Sequence, residues 1–264
     1  MSVIHAGLTK VAAMTALLAL AGCQSQTAVK STPEQIKKLE AFSIGFRVAL
    51  VSNARVISSE LLDGNVKLRV KINRRNEVTF CETEPYVLPG SPAVPVDPRL
   101  SAIAKEACWN TLFPLVPTDV FDPDGTAEIV APLIFSGESE AVEGDEELTR
   151  RRMIRVTRYA QSRFFWEQTL RSQPAASIGY ADFQYVANAQ GQVQGCLVNL
   201  RASQQRPEAF KLDADLQARL IAQCKQMNLK QLPGFSVDPQ GVATGRVRVE
   251  YMPWKGGPQP LMPQ

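Results

Sequence analysis

The 264-residue chain has almost no histidine, since its only one is His5. This lack excludes catalytic triads and zinc sites built on histidine and removes the commonest general base near neutral pH. No Ser-x-x-Lys, Gly-x-Ser-x-Gly, Cys-x-x-Cys or phosphate-loop glycine pattern occurs. The formal net charge is +3, and no block of Lys and Arg is dense enough to indicate nucleic-acid binding. We therefore expect no catalytic residue, no metal site, no cofactor and no nucleic-acid partner.

The chain also lacks an apolar run of transmembrane length. The run 11–21 is almost wholly apolar, but about 11 residues are too few to cross roughly 30 Å of hydrocarbon as a helix. It has the proportions of a signal-peptide core before a cleavage site. The letters LAGC, which end on Cys23, resemble a bacterial lipobox, in which the cysteine sulfur receives a diacylglycerol. We expect residues 1–22 to be a lipoprotein signal peptide and Cys23 to be lipidated. An ordinary secretory signal with a chance cysteine is the alternative.

The residue after Cys23 bears on which membrane holds the protein. The lipobox resemblance implies that lipoproteins kept in the inner membrane commonly carry Asp there, whereas this chain has Gln24. Such lipoproteins carry more than one acyl chain, and each buried CH₂ contributes about 0.8 kcal/mol to anchoring. We expect a lipid-anchored protein at the periplasmic face of the outer membrane, with residues 23–40 as anchor and linker.

The remaining four cysteines form two pairs of similar spacing. Cys81 and Cys108 are 27 residues apart, and Cys196 and Cys224 are 28 apart. Their surroundings match in the same order: VKINRRNEVTFC aligns with YVANAQGQVQGC, VDPRLSAIAKEAC with LDADLQARLIAQC, and FDPDGTAEI with VDPQGVATG. Matches that keep their order and spacing indicate an internal duplication.

Each copy has the pattern of two strands, a helix and a last strand. Alternating apolar residues predict the first strand, and a polar turn separates it from the second, which carries the first cysteine of the pair. A helix capped by Asp follows, with the second cysteine on the face that packs on the sheet. The predicted fold class is α+β. It comprises two tandem units, residues 41–135 and 175–253, each a small antiparallel sheet with one packed helix.

This arrangement predicts one disulfide inside each copy. A cysteine on the second strand and one on the inner face of the helix can lie within the Cα separation of roughly 4.4–6.8 Å that a disulfide requires. We predict the bonds Cys81–Cys108 and Cys196–Cys224, each stabilising its unit by about 3 kcal/mol. Free buried thiols and a redox or metal site are the alternatives.

The segment between the copies, residues 136–174, is divided by charge. GESEAVEGDEE carries only acidic charge, and we interpret it as a solvated loop, with a calcium or partner site as the alternative. TRRRMIRVTRYAQSR carries only basic charge. Met153, Val156, Ala160 and Phe164 recur there at helical spacing and predict an amphipathic helix that packs on the second unit. Contact of its basic face with anionic lipid or polymer is the alternative.

The second copy resembles a known family. GYADFQYVANAQGQVQGCLVNL, LDADLQARLIAQC and GRVRVEYMP are together similar to the C-terminal domain of TonB, the energy transducer of the Gram-negative envelope. The variants with one cysteine after the second strand and another in the helix are the most alike. The likeness covers residues 175–253 and, more faintly, 65–135. It implies a periplasmic domain that engages envelope or outer-membrane proteins by adding a strand to an exposed sheet edge.

The chain departs from that family outside the duplicated units. It shows no transmembrane signal and no long Pro-rich span before the first unit, and RASQQRPEAFK replaces the family's Ser-Ser-Gly pattern before the helix. We therefore expect a non-enzymatic, lipid-anchored protein-binding module. Two alternatives stay open: a component of a TonB-type energy-transduction or transport system, and an envelope enzyme with an unidentified carboxylate site.

The partner is expected along the last strand of the second unit. Arg246, Arg248 and Glu250 alternate there with apolar residues, so we predict that all three face solvent. We also expect the two arginines to contribute little to the stability of the fold. Residues 254–264 are a Pro-rich tail, whose prolines lack amide donors and cannot extend a ladder. The alternative is that this tail covers the edge and that no partner binds there.

Overall fold

A computed structural model describes residues 32–58, 60, 62–86, 95–136 and 146–257. Cys23, the predicted signal peptide, the acidic stretch 137–145 and the end of the tail lie outside these ranges. The helices and strands in chain order are α1 (Pro33–Ile57), β1 (Asp63–Asn73), β2 (Val78–Glu84), α2 (Pro98–Trp109), β3 (Thr126–Ser136), α3 (Glu146–Gln168), β4 (Gly179–Asn188), β5 (Val193–Ala202), α4 (Ala214–Gln226) and β6 (Val242–Tyr251). None of these helices is both long and apolar enough to cross a membrane.

The strands form two three-stranded antiparallel sheets, which confirms the predicted α+β fold class. Their orders are β2-β1-β3 and β5-β4-β6, so the first strand of each unit is central and the other two are edges. The copies match in detail. Each has a register shift at an aligned position, between Lys71 and Ile72 in one and between Val186 and Ala187 in the other.

The hairpin turns of the two units adopt the same left-handed backbone conformation with different residues. Gly191 has φ of 81°, and a Cβ there would lie 2.4 Å from the Lys230 nitrogen, so only glycine fits. The aligned residue of the first unit is Asn76, which adopts φ of 58°. Asparagine tolerates this left-handed region. Its side chain is also engaged, because Asn76 Oδ1 accepts a hydrogen bond of 2.7 Å from the Val116 amide.

The first core lies between the first sheet and helices α1 and α2. The inward residues of β1 are fully buried, as their alternation predicts: Val66, Leu68, Val70 and Ile72. Helix α1 contributes four buried residues at four-residue intervals: Phe42, Phe46, Leu50 and Ala54. A capping box of Thr32 and Gln35 starts this helix, which therefore begins inside residues 23–40, the segment predicted as anchor and linker.

The second core lies between the second sheet and helices α3 and α4. Leu216, Leu220 and Cys224 of α4 are buried, on the face that the spacing predicts. Helix α3 forms as expected, and Phe164 packs against the second core as predicted, while Val156 and Ala160 are half-buried. Phe165 is its buried residue, packed against the rings of Phe183 and Tyr185, whereas the predicted Met153 is 46% exposed. The reason is that α3 contacts both units, so no single stripe describes its packing.

The two units share a continuous interface. Ile178 and Met252 of the second unit, and Trp254 directly after it, are buried within the first core. The guanidinium of Arg206 donates to the carbonyl oxygens of Arg75 and Asn76, each at 3.2 Å, at the β1–β2 turn. Trp254 is the first residue of the predicted tail. Because its indole is buried, the start of this segment is part of the folded structure.

Both predicted disulfides are present. Cys81–Cys108 joins β2 to α2, and Cys196–Cys224 joins β5 to α4, with a Cα separation of 6.2 Å in each case. Each bond therefore fixes a helix to an edge strand of its own sheet.

Candidate functional site

The predicted binding strand, β6, is an edge strand of the second sheet and pairs only with β4 among the described residues. Its apolar residues Val247, Val249 and Tyr251 are buried, as predicted. Arg246 and Arg248 point to the opposite side of the sheet, where their side chains are 52% and 54% exposed. The alternation of apolar and charged residues thus predicts correctly which side of β6 faces the core.

Both arginines converge on a carboxylate that the sequence reasoning missed. Asp182 lies on β4 opposite Arg248, and its side chain is fully buried. Arg248 Nε donates to Asp182 Oδ1 at 2.8 Å, and Arg246 Nη2 donates to Oδ2 at 3.2 Å. Arg201 of β5 adds an ion pair of 3.4 Å. We call Asp182, Arg201, Arg246 and Arg248 the arginine–aspartate cluster.

The electrostatics of this cluster favour an ionised carboxylate. Burial alone would raise the pKa of Asp182, but the hydrogen bonds and charges of Arg248 and Arg246 outweigh it and hold that pKa below its ordinary value. Contact with Asp182 in turn raises the pKa of Arg248. The cluster contains three cations and one anion, so positive charge remains on the exposed side of the sheet.

This geometry corrects one expectation. Arg246 and Arg248 are exposed, as expected. Their contribution to stability is larger than expected, because they neutralise a buried charge. A signal for the cluster was present in the sequence: Asp182 interrupts the apolar run of β4, in the letters YADFQY. Pairing that aspartate with residues far along the chain required the strand order, which local patterns do not give.

Glu250 also differs from its predicted environment. It is only partly exposed, since it lines a groove with Tyr180 of the same sheet and with Pro114 and Leu115 of the first unit. Burial raises the pKa of its carboxyl group. The backbone oxygen of Glu250 accepts a hydrogen bond of 2.6 Å from Lys255 Nζ. The prediction of a solvent-facing Glu250 is wrong because the first unit packs over this end of the strand.

The four sheet edges are not equally open to a further strand. β3 contains Pro132 near its middle, which removes an amide donor. The carbonyl of Val198 on β5 accepts a hydrogen bond of 2.7 Å from Gln217 of α4. On β2, the bond of 2.6 Å between Thr83 and Ser101 of α2 joins two side chains and does not involve the strand backbone. Among the described residues, no side chain bonds to the β6 backbone between residues 243 and 249.

Within the described ranges, no group of three or more His, Cys, Asp or Glu side chains could hold a metal ion. No protein family, no curated protein and no solved structure matches this chain.

Proposed function

We propose that this protein is a lipid-anchored module of the bacterial envelope that binds a partner protein. The partner contributes an extended segment, which adds to the second sheet alongside β6. Main-chain hydrogen bonds supply affinity in this mode of recognition, and the alternating side chains supply specificity. The resemblance of the second unit to the C-terminal domain of TonB supports the same mode.

The open β6 edge is the observation that carries this proposal. Residues 243–249 present a strand backbone with no proline and, among the described residues, no bonded side chain. The strand is held in place by Val247 and Val249, which are buried in the second core. The template for an incoming segment is therefore already formed. Little of the binding free energy is lost to reordering of the protein.

The arginine–aspartate cluster indicates what the segment carries. Three guanidinium groups share one buried carboxylate, so their outer donors face solvent with a net positive charge. Positive charge beside the edge would favour acidic residues in the segment and would speed their association at low salt. We expect binding to weaken as ionic strength rises, because these arginines are half exposed.

Anchoring is the second part of the proposal. The lipobox at Cys23 and the following Gln24 support attachment to the outer membrane, with both units in the periplasm. A membrane-held module would encounter partners in or near the same membrane at high effective concentration.

Site-specific photo-crosslinking in living cells tests the binding edge. A photoreactive residue at Thr244, exposed on β6, should form adducts with a partner protein. The matched position is Gln194, exposed on β5 at the opposite edge of the same sheet. Adducts from Thr244 alone support the proposal. Equal adducts from both positions, or protein adducts from Gln194 alone, would place the partner elsewhere. If Thr244 forms no protein adduct, no partner binds along this edge.

Charge variants test the role of the cluster. Arg246→Gln removes the arginine of the edge strand, and Arg201→Gln removes one from the far strand; each deletes one partner of Asp182. We expect Arg246→Gln to reduce the adduct yield from Thr244 more than Arg201→Gln does. Replacement by Glu is unsuitable, because a new carboxylate beside Asp182 would add like-charge repulsion within the fold.

A further inference from the structure

The backbone groups of β6 are not all available to an added strand. Consecutive residues of an antiparallel strand direct their N–H and C=O groups to opposite sides in turn. Every second residue of β6 therefore bonds to β4, and the residues between them present their backbone groups to the open edge. The hydrogen bonds at the two ends of β6 show which residues these are.

The start of β6 is closed by a turn. The Val242 amide donates to Asp238 Oδ1 at 2.8 Å, and the Val242 carbonyl accepts from the Asp238 amide, also at 2.8 Å. Both backbone groups of Val242 thus point away from β4 and are already bonded. By alternation, the groups that face the open edge further along belong to the even-numbered residues of 244–250.

The other end of β6 is closed by the segment that follows it. The Glu250 carbonyl accepts a hydrogen bond of 2.6 Å from Lys255 Nζ, as the alternation requires of a group that points away from β4. A turn in which the Lys255 amide donates to the Met252 carbonyl at 3.1 Å holds the lysine there. The start of the predicted tail therefore closes the edge at Glu250 but not along residues 244–248.

The first sheet supports this assignment of the edge-facing groups. Pro132 of β3 lies opposite Lys67, just as Arg248 lies opposite the aligned Asp182. A proline has no N–H to give to a ladder, so it fits a position whose backbone faces away from the central strand. The equivalent position in β6 therefore faces the open edge, and the fold does not require an amide there.

The open part of the edge is short. Thr244, Arg246 and Arg248 each offer one N–H and one C=O, and these groups have no partner in the described part of the chain. A five-residue antiparallel strand would satisfy all of them through three two-bond pairs, and it would continue the antiparallel order of the sheet. At about 3.4 Å per residue, residues 244–248 span about 14 Å.

The outer face of the edge adds a side-chain preference. Directly opposite residues of an antiparallel pair share a face, so two side chains of the added strand would lie beside Arg246 and Arg248. Asp182 accepts from one nitrogen of Arg246 and from two of Arg248, whereas each guanidinium has five N–H donors and is half exposed. With Arg201, three cations share one carboxylate, so two further acidic groups would balance the charge.

From these features, and on the basis of the proposed function, we infer that the β6 edge accepts a five-residue strand in one antiparallel register. The strand carries two acidic residues separated by one residue, which lie opposite Arg246 and Arg248. Lysine or arginine in these two places would be repelled. Proline is excluded from them as well, because their amides donate to β6. A longer partner segment has to bend away from the sheet at both closed ends.

Fluorescence anisotropy of labelled peptides, titrated with the detergent-solubilised full chain at low salt, tests the spacing and the length. The probe is Gly-Asp-Val-Asp-Val-Thr-Gly. The control Gly-Asp-Asp-Val-Val-Thr-Gly has the same composition but directs its aspartates to opposite faces. We expect it to bind about two- to fivefold more weakly, the value of one cross-strand charge pair. Extending the probe by Val-Thr at both ends should change its affinity less than about twofold, because both ends of the edge are closed.

N-methylation of the peptide backbone tests the register. Methylating both aspartates of the probe removes two donors to β6, whereas methylating both valines changes amides that face away from it. We expect the first peptide to bind at least about tenfold more weakly than the second. On the protein, Thr244→Pro removes one edge donor and Thr244→Val keeps it, so only the proline variant should weaken binding, by at least about threefold. Circular dichroism should confirm that both variants are folded.

Several results would overturn the inference. Equal binding of the two aspartate arrangements would remove the spacing, equal effects of the two methylations would remove the register, and tenfold tighter binding of the extended peptide would mean that the edge is not closed. Equal effects of the two Thr244 variants would place the peptide elsewhere. If no peptide saturates at millimolar concentration, the inference fails, and photo-crosslinking at Thr244 decides the proposed function separately: adducts there would show that the edge binds a segment of another kind.

Discussion

Replacing Asp182 by asparagine removes one negative charge from beneath three arginines while leaving the side-chain volume almost unchanged. Breaking a fully buried ion pair costs about 3–5 kcal/mol. Here the arginines are half exposed and can regain water, so the loss should approach the value of hydrogen bonds to a charged group, about 1.5–3 kcal/mol. We expect Asp182→Asn to lower the free energy of unfolding by about 2–3 kcal/mol at pH 7.

The first sheet supplies a matched control. Glu128 lies on the outer side of β3, where its side chain is 35% exposed and forms ion pairs with Arg69 at 3.4 Å and Lys71 at 3.5 Å. Glu128→Gln therefore also removes a carboxylate shared between cations on a sheet. Exposed pairs contribute about 0–1 kcal/mol, so this variant should lose less than about 1 kcal/mol. The contrast between the two variants isolates the effect of burying the charge.

Urea unfolding at several pH values measures both variants. The pKa of Asp182 is lowered in the folded state, so its contribution is present above the unfolded pKa of about 3.9 and is lost as the pH falls through the folded value. The stability gap between the parent protein and Asp182→Asn should therefore shrink from pH 7 toward pH 2. A loss no larger than that of Glu128→Gln would refute the assigned weight of the cluster, and a gap independent of pH would refute its electrostatic origin.

Three further predictions concern the anchor, the disulfides and the junction. Cys23→Ser should block signal-peptide processing and lipidation, measured by fractionation and mass spectrometry; a processed, soluble product would indicate an ordinary secretory signal. Replacing both Cys196 and Cys224 by Ser should lower the free energy of unfolding by about 3 kcal/mol, whereas an unchanged urea midpoint would contradict the loop-closure account. Arg206→Met should speed hydrogen exchange in the β1–β2 turn, because it removes the donors to two carbonyls there; unchanged exchange would show that the turn does not depend on this contact.

Duplication and strand alternation made most of the fold predictable. A buried face along β1 appears as a period of two in the sequence, since neighbouring side chains of a strand point to opposite faces. The cysteines of β2 and α2 sit at spacings repeated in β5 and α4, so each disulfide could be inferred from the other copy. These signals are local or repeated, and they do not depend on how the two units are arranged.

Features made by contacts between distant segments could not be predicted in the same way. Helix α3 divides its packing between the two units, so its apolar spacing identified Phe164, which is partly buried against the second core, but missed the fully buried Phe165. Trp254 follows a proline in a segment that reads as a tail, and only the first core explains its burial. Asp182 and its arginines come from three strands, and their contact depends on the order β5-β4-β6.

The two sheets differ on their outer faces, and that difference bears on which of their last strands can accept a further strand. Lys67 in the central strand of the first sheet lies opposite Pro132, whereas the aligned Asp182 lies opposite Arg248. The first sheet thus has a cation at its centre and a proline on its edge, and the second has a buried anion at its centre and arginines on its edge. Because a proline cannot donate to a ladder, the last strand of the first unit is a poor template for pairing. On the proposed function, the last strand of the second unit is therefore a better template than the last strand of the first, although the fold is present twice.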